Sequence, residues 1–170
     1  MRLRAVEIDD IDLIFKWEND ENLWYITETQ RPFSKEAIRN YVETTQNEDI
    51  YSAKQLRLMI EVEKEKGAVG CVDLFDYEPQ NRRAGIGIVI DKAYLRKGYG
   101  LLSLQMLKNY AFNVLSIHNL YAFVPQNNEA SCRLCEKANF NKTAVLQDWI
   151  FRNRKYENII VYQCFDISIR

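Results

Sequence analysis

Apolar and polar residues alternate along the middle of the chain. Leu56, Leu58, Ile60 and Val62 fall on one face, and Gln55, Arg57, Met59 and Glu61 on the other, which is the period of a half-buried strand. Glu65-Lys66-Gly67 reads as a turn, and residues 68–75 as the next strand of a hairpin. Residues 83–90 give a third strand of the series. Upstream, residues 2–8 suit a strand. Ile11, Leu13, Ile14 and Trp17 then recur at helical spacing behind Asp9-Asp10, which supply a cap. Residues 22–32 are aromatic and polar and read as a loop. Ser34 caps a second helix carrying Ala37, Ile38, Tyr41 and Val42.

The second half changes period. Residues 101–115 are helical, with Leu104, Leu107, Ala111, Val114 and Leu115 on one side. Residues 120–124 form a short strand. Residues 128–138 form a helix, and Asn139 stands where a left-handed C-terminal residue belongs. Residues 149–152 and 159–165 are late strands joined by Asn153-Arg154-Lys155. This order predicts an α/β (α+β) fold: a mixed, mainly antiparallel sheet flanked by helices, in one domain over 1–170.

Composition supports one soluble core. Apolar residues make up 47% of the 170, which argues against disorder, and three prolines and six glycines leave no linker. A net charge of -1 lacks the basic excess of a nucleic-acid binder. No apolar run approaches the roughly 18 residues of a membrane span, and no signal core follows Met1. A cytoplasmic protein is expected. Cys132 and Cys135 form a lone pair, with Cys71, Cys164 and the single His118 elsewhere. Zinc needs about four ligands, so these thiols read as reduced packing groups and no metal is expected.

Chemistry concentrates after the third strand. Gly85-Ile86-Gly87-Ile88-Val89-Ile90 delivers the chain to Arg96-Lys97-Gly98-Tyr99-Gly100, and a helix follows. The first amides of a helix lack internal partners and, with the helix dipole, attract anions. Glycines at 98 and 100 let an anion approach, and Arg96 and Lys97 add charge. A P-loop would end in Gly-Lys-Ser/Thr, and a dinucleotide fingerprint would carry glycine at Ser103; neither holds. A phosphate site and an ordinary glycine-bearing helix start both remain open on these residues alone.

The segment Leu95-Arg96-Lys97-Gly98-Tyr99-Gly100 resembles the acetyl-CoA motif of the GNAT superfamily, Gln/Arg-x-x-Gly-x-Gly/Ala. Residues 128–140, from Asn128 through Ser131 and Glu136-Lys137 to Phe140, resemble that family's Asn-x-x-Ser-x-x-x-x-Glu-Lys-x-Gly-Phe helix. Residues 110–115 and 17–20 also resemble its members, and the likeness leans to the spermidine and ribosomal-protein N-terminal acetyltransferase branch. It implies acetyl transfer from acetyl-CoA to a primary amine by direct attack. It assigns backbone pairing with the pantetheine arm to Ile88, Val89 and Ile90, and pantetheine hydrogen bonding to Asn128. Leu95 departs from the usual Gln or Arg. Cys135 stands where many members have a tyrosine acid, and Gly85 where many of this branch have a glutamate.

Asp73 and Asp76 beside the motif strand, and Glu61 across the hairpin, are the carboxylates available to deprotonate the amine, although ordinary surface placement is their commoner fate. Cys135 is the available proton donor, with inert packing its alternative. The resemblance places the acceptor against residues 7–28, where Glu7, Asp9, Asp10, Asp12, Glu18, Asp20, Glu21 and Glu28 face one base, Lys16. A polyamine, another small amine or a peptide N-terminus suits that charge, with Trp24, Tyr25 and Phe33 as candidate walls. A non-catalytic acyl-CoA-binding sensor on the same fold is the alternative, since the tyrosine and glutamate are missing. Exposed sheet edges make a homodimer a further expectation.

Overall fold

The computed structural model describes residues 1–27 and 29–169, and its strands join into a seven-stranded sheet. These are β1 (Arg2–Arg4), β2 (Leu56–Glu61), β3 (Ala68–Glu78), β4 (Arg83–Ile90), β5 (Asn119–Pro125), β6 (Asn141–Arg152) and β7 (Lys155–Phe165). They lie in the order β1-β2-β3-β4-β5-β7-β6. Neighbours are antiparallel except β4 and β5, which run parallel. A parallel pair needs a crossover, and helix α5 (Tyr99–Asn113) supplies it.

Both faces of the sheet are covered. Helices α1 (Ile11–Glu18) and α3 (Lys35–Thr45) lay Ile11, Ile14, Trp17, Ile38 and Val42 on Met59 and Cys71. On the other face, α5 and α6 (Glu129–Lys137) pack on Ile60, Val72, Leu74 and Ile86 through Leu104, Leu107, Ala111 and Cys135. Met59 therefore does not belong with the polar residues of its strand. It is fully buried, because helices cover the face that alternation assigns to water.

Other boundaries shift for local reasons. Strand β1 stops at Arg4, and residues Ile8–Asp10 form a 3-10 turn. Asp10 does not cap α1; it is buried, accepts the Glu7 N–H at 2.9 Å, and takes Arg4 in a fork at 2.7 and 2.8 Å. The loop expected over 22–32 contains a one-turn helix, α2 (Trp24–Thr27). A second short helix, α4 (Ile50–Ala53), starts where the Asp49 carboxylate accepts the Tyr51 and Ser52 amides. Strand β6 begins eight residues earlier than its apolar signal. It is an edge strand with most side chains in water, so burial imposes no pattern on it. Asn153 and Arg154 join it to β7 with φ of 50° and 61°, the paired positive angles of a type I′ hairpin turn. Ser34 caps α3 through the Ala37 amide, and Asn139 has φ 62°, both as the spacing predicts.

Candidate active site

Strands β4 and β5 share three rungs, Arg83 with Asn119, Ala84 with Leu120 and Gly85 with Tyr121, and then part. Beyond them β4 stays paired to β3 as far as Ile90, while β5 follows β7 to Pro125. The sheet thus opens as a V. The Asp91 amide donates to the Val69 carbonyl on β3 at 2.9 Å. Amide direction alternates along a strand, so the amides of residues 87 and 89 also face β3, and those of Ile88 and Ile90 face into the V. The backbone there is a free edge able to accept one more extended chain.

The loop after β4 lies at the wide end. Lys92–Tyr94 make a 3-10 turn capped by Asp91, Arg96 has φ 63°, and Gly98 has φ 83°. A Cβ at Gly98 would meet nothing within 4 Å, so glycine is required there by its left-handed angle and not by space. The first helical bond of α5 runs from the Leu102 amide to the Gly98 carbonyl, at 3.3 Å. The amides of Tyr99, Gly100 and Leu101 precede it and have no helical acceptor. Arg96 is exposed and has no ion-pair partner among the described residues. Lys97 reaches Glu65 at 3.0 Å and lies 4.9 Å from the Tyr94 ring centroid. The Tyr99 hydroxyl, also donating to Glu65 at 2.8 Å, and the Lys97 ammonium hold the Glu65 carboxyl below its usual range. Lys97 is therefore half committed, and Arg96 is the freer cation.

Asp91 ties this loop to α1. It accepts from Lys16 at 2.6 Å, from the Trp17 indole at 2.9 Å and from the Ala93 amide at 3.1 Å. Burial works to raise its pKa, but these three donors outweigh burial and leave it depressed. A depressed carboxylate contributes stability above its unfolded pKa of about 3.9, and that stability is lost as pH falls through the lower folded value. Asp91→Asn is expected to lower the Tm at pH 7 and to converge on the wild type below pH ~4, as thermal unfolding between pH 7 and 3 would show.

Helix α6 supports the start of α5. A Cβ at Gly100 would touch Leu134 at 3.5 Å and Ile88 at 3.8 Å, so α5, α6 and β4 meet there. Asn128 caps α6 through the Ser131 amide at 3.1 Å, which occupies its oxygen and leaves its amide nitrogen unbonded among the described residues. Cys135 is buried against the core, and burial pushes its thiol up to about 12. The neighbouring polar contact comes from β7, where the Tyr162 hydroxyl meets Glu136 at 3.2 Å.

The face of β4 toward α1 carries the carboxylates. Arg57 on β2 forks onto Asp73 at 2.7 and 3.2 Å and binds Glu18 of α1 at 2.6 Å. Two carboxylates around one guanidinium leave a net charge of -1 beside Gly87, whose absent Cβ would lie 3.5 Å from the Asp73 Oδ2. Asp76 is exposed at the β3 bulge. Glu61 lies at the far end of β2, where it pairs with Arg2 and Arg4.

Much of the acidic N-terminal segment is likewise consumed. Asp10 pairs with Arg4, Asp12 with Lys35, Glu18 with Arg57 and Asp20 with Lys92. Trp24 donates to the Glu18 carbonyl at 2.8 Å, and Phe33 packs toward the α1–α3 core. Glu28 and the Tyr25 side chain lie outside the described residues. Arg57, Glu65 and Asp91 organise the site without any local sequence signal. Their side-chain partners lie 16 to 75 residues away.

A family model for the acetyltransferase (GNAT) domain matches residues 1–141. The chain is 26% identical over 162 residues to the spermidine N(1)-acetyltransferase of Escherichia coli (strain K12), covering 94% of this chain and 83% of that protein. It is 29% identical over 154 residues to an uncharacterized N-acetyltransferase, YoaA, of Bacillus subtilis (strain 168), covering 89% and 85%. The crystal structure of spermidine N-acetyltransferase from Vibrio cholerae in complex with CoA and spermine superposes with a TM-score of 0.85 at 21% identity, covering 96% and 94%. At that identity the structural likeness establishes the fold.

Proposed function

This chain belongs to the GNAT acetyltransferase family, and from that premise we propose that its acceptor is a polyamine or a similar small polycationic amine. It is an N-acetyltransferase that takes its acetyl group from acetyl-CoA. The acceptor class is supported by the spermidine acetyltransferases among its relatives and by the net negative Glu18–Arg57–Asp73 cluster beside β4.

The observation that supports the cofactor assignment is the V, whose free backbone edge leads to unpartnered helix amides. The Ile88, Val89 and Ile90 backbone would pair with the pantetheine arm. Arg96, Lys97, Gly98, Tyr99 and Gly100 would hold the phosphates, with Arg96 the main side-chain contributor. The Asn128 amide nitrogen would donate to the pantetheine region. The acceptor ammonium first gives a proton through water to Asp73; the lone pair so freed attacks the thioester carbonyl carbon, and negative charge moves to its oxygen, where an inward amide of Ile88 or Ile90 stabilises it. Collapse breaks the carbon–sulfur bond, the thiolate leaves, and the nitrogen gives its second proton to water.

A thiolate with a pKa near 8.5 leaves without a strong acid. Cys135, held protonated and buried, is not needed for that step. A Cys135→Ser variant is expected to keep turnover within about threefold of wild type. A loss of several orders of magnitude would make Cys135 the acid.

Thiol release with acetyl-CoA against polyamines, amino acids, aminoglycosides and N-terminal peptides tests the whole proposal. Turnover with polyamines is expected. Turnover confined to peptides would overturn the acceptor class, and acetyl-CoA binding without transfer to any amine would favour the sensor. No helix among the described residues is long and apolar enough to cross a membrane. We also place the reaction in the cytoplasm, where the four free thiols suit a reducing compartment. Trp149, Phe151 and Tyr156 stand exposed on the β6–β7 hairpin and suit self-association, which light scattering would detect.

A further inference from the structure

Strand β4 lacks a side chain at both Gly85 and Gly87, and these positions share the face turned toward α1. The space above Gly85 is filled from the neighbouring strand: a Cβ there would lie 2.2 Å from the Phe75 ring. That ring meets Tyr121 of β5 edge-on, with centroids 6.1 Å apart, and Tyr121 meets Phe123 at 5.4 Å. Three rings thus run from β3, across the bare glycine, to the β5 lip of the V. Phe123 lies two residues beyond the last β4–β5 rung and is 44% exposed, so it is no core residue. At the outer end Asp76 directly follows Phe75 on β3, at the bulge beyond the Phe75–Gly85 rung, and it is exposed with no ion-pair or hydrogen-bond partner among the described residues.

We propose that the ring row Phe75–Tyr121–Phe123, ending at Asp76, is the wall that selects the acceptor, and that it takes an extended dication lengthwise. The inference rests on the acetyl-transfer function above. The reactive amine lies at the Ile88 amide, above Gly87. The methylene chain lies along the rings, and a second ammonium reaches toward Asp76. Three residues of strand separate Ile88 from Gly85, about 10 Å at the usual rise, which is room for a diamine or longer chain. Aromatic faces attract alkylammonium groups while their apolar surface accepts the methylenes. The row's location favours cationic acceptors with a second amine over monoamines.

Steady-state thiol release at saturating acetyl-CoA tests this, with 1,4-diaminobutane and butylamine as acceptors. Phe123→Leu is expected to raise the diamine KM about tenfold, while Phe123→Tyr stays within about twofold, because both keep apolar bulk and only one keeps a ring face. Asp76→Asn is expected to raise the diamine KM about fivefold and to leave the butylamine KM unchanged. Both variants should keep the acetyl-CoA KM, which a folding defect would not. Equal diamine KM for Phe123→Leu and wild type, or an Asp76→Asn effect shared by butylamine, would overturn the wall. A wild type that acetylates no amine would instead sink the transfer function, a different failure.

Discussion

A Gly70→Ala variant is expected to lose about 3 kcal/mol or more of stability, together with most of its affinity for acetyl-CoA. Gly70 is buried on β3 and pairs with Ile90 on β4. A Cβ there would sit 2.1 Å from the Val89 carbonyl oxygen and 3.0 Å from the Ile90 Cα. Both are backbone atoms of the neighbouring strand, so no rotamer change relieves the clash. Either β3 or β4 must move, and β4 is the strand whose Ile88 and Ile90 amides face the V. For a chain of this size roughly 3 kcal/mol corresponds to a Tm drop on the order of 10 °C. Thermal unfolding and the acetyl-CoA KM check the two halves of the prediction. A variant that melts with wild type would show that the close approach is absent. Gly85 makes the contrast: its obstacle is the tip of the Phe75 ring, which can swing aside, so Gly85→Ala should cost less than Gly70→Ala.

The same contrast shows which parts of the molecule are legible in the chain. Strand β2 is readable because apolar and polar residues alternate along it, β3 and β4 because each is a mostly apolar run beside a turn, and the turn at Arg96–Gly100 because two glycines and two bases follow an apolar strand. Local rules govern all of them. The one misreading there, Met59 as a surface residue, arises because alternation reveals two faces but not that helices cover both. Strand β6 is hidden for the opposite reason, since an exposed edge needs no apolar code. The V itself is a property of topology: it exists because β5 leaves β4 after three rungs, and no residue spells that out. The acidic segment looks like an open negative field in sequence. In space Asp10, Asp12, Glu18 and Asp20 are each matched by a base from a different element, so the charge left near β4 is small and local. The fold and the Arg96–Gly100 turn are thus written in neighbours along the chain, and the Glu18–Arg57–Asp73 cluster is written in residues far apart.

Arg57 is the residue that holds that cluster together, and on the proposed acceptor site its replacement should separate stability from substrate binding. Its side chain and those of Glu18 and Asp73 are only 17%, 20% and 21% exposed. Burial works against its charge, but the field of Asp73 and its hydrogen bonds to that carboxylate keep its pKa well above the usual value. Tyr41 lies under the guanidinium at 5.5 Å and fills the remaining side. Arg57→Met keeps the stem and removes the fork. Glu18 and Asp73 are then left as two like charges with little water, and a loss of about 3 kcal/mol is expected in denaturant unfolding. Arg57→Lys keeps the charge but cannot bind both carboxylates as a planar fork, so about half that loss is expected. The charge of the cluster changes from -1 to -2 in the methionine variant. The KM for a cationic acceptor should therefore fall in the folded variant, at unchanged acetyl-CoA KM, even as stability drops. A raised acceptor KM would mean that Arg57 itself holds the acceptor. Unchanged stability would mean that the two carboxylates are hydrated well enough to do without it.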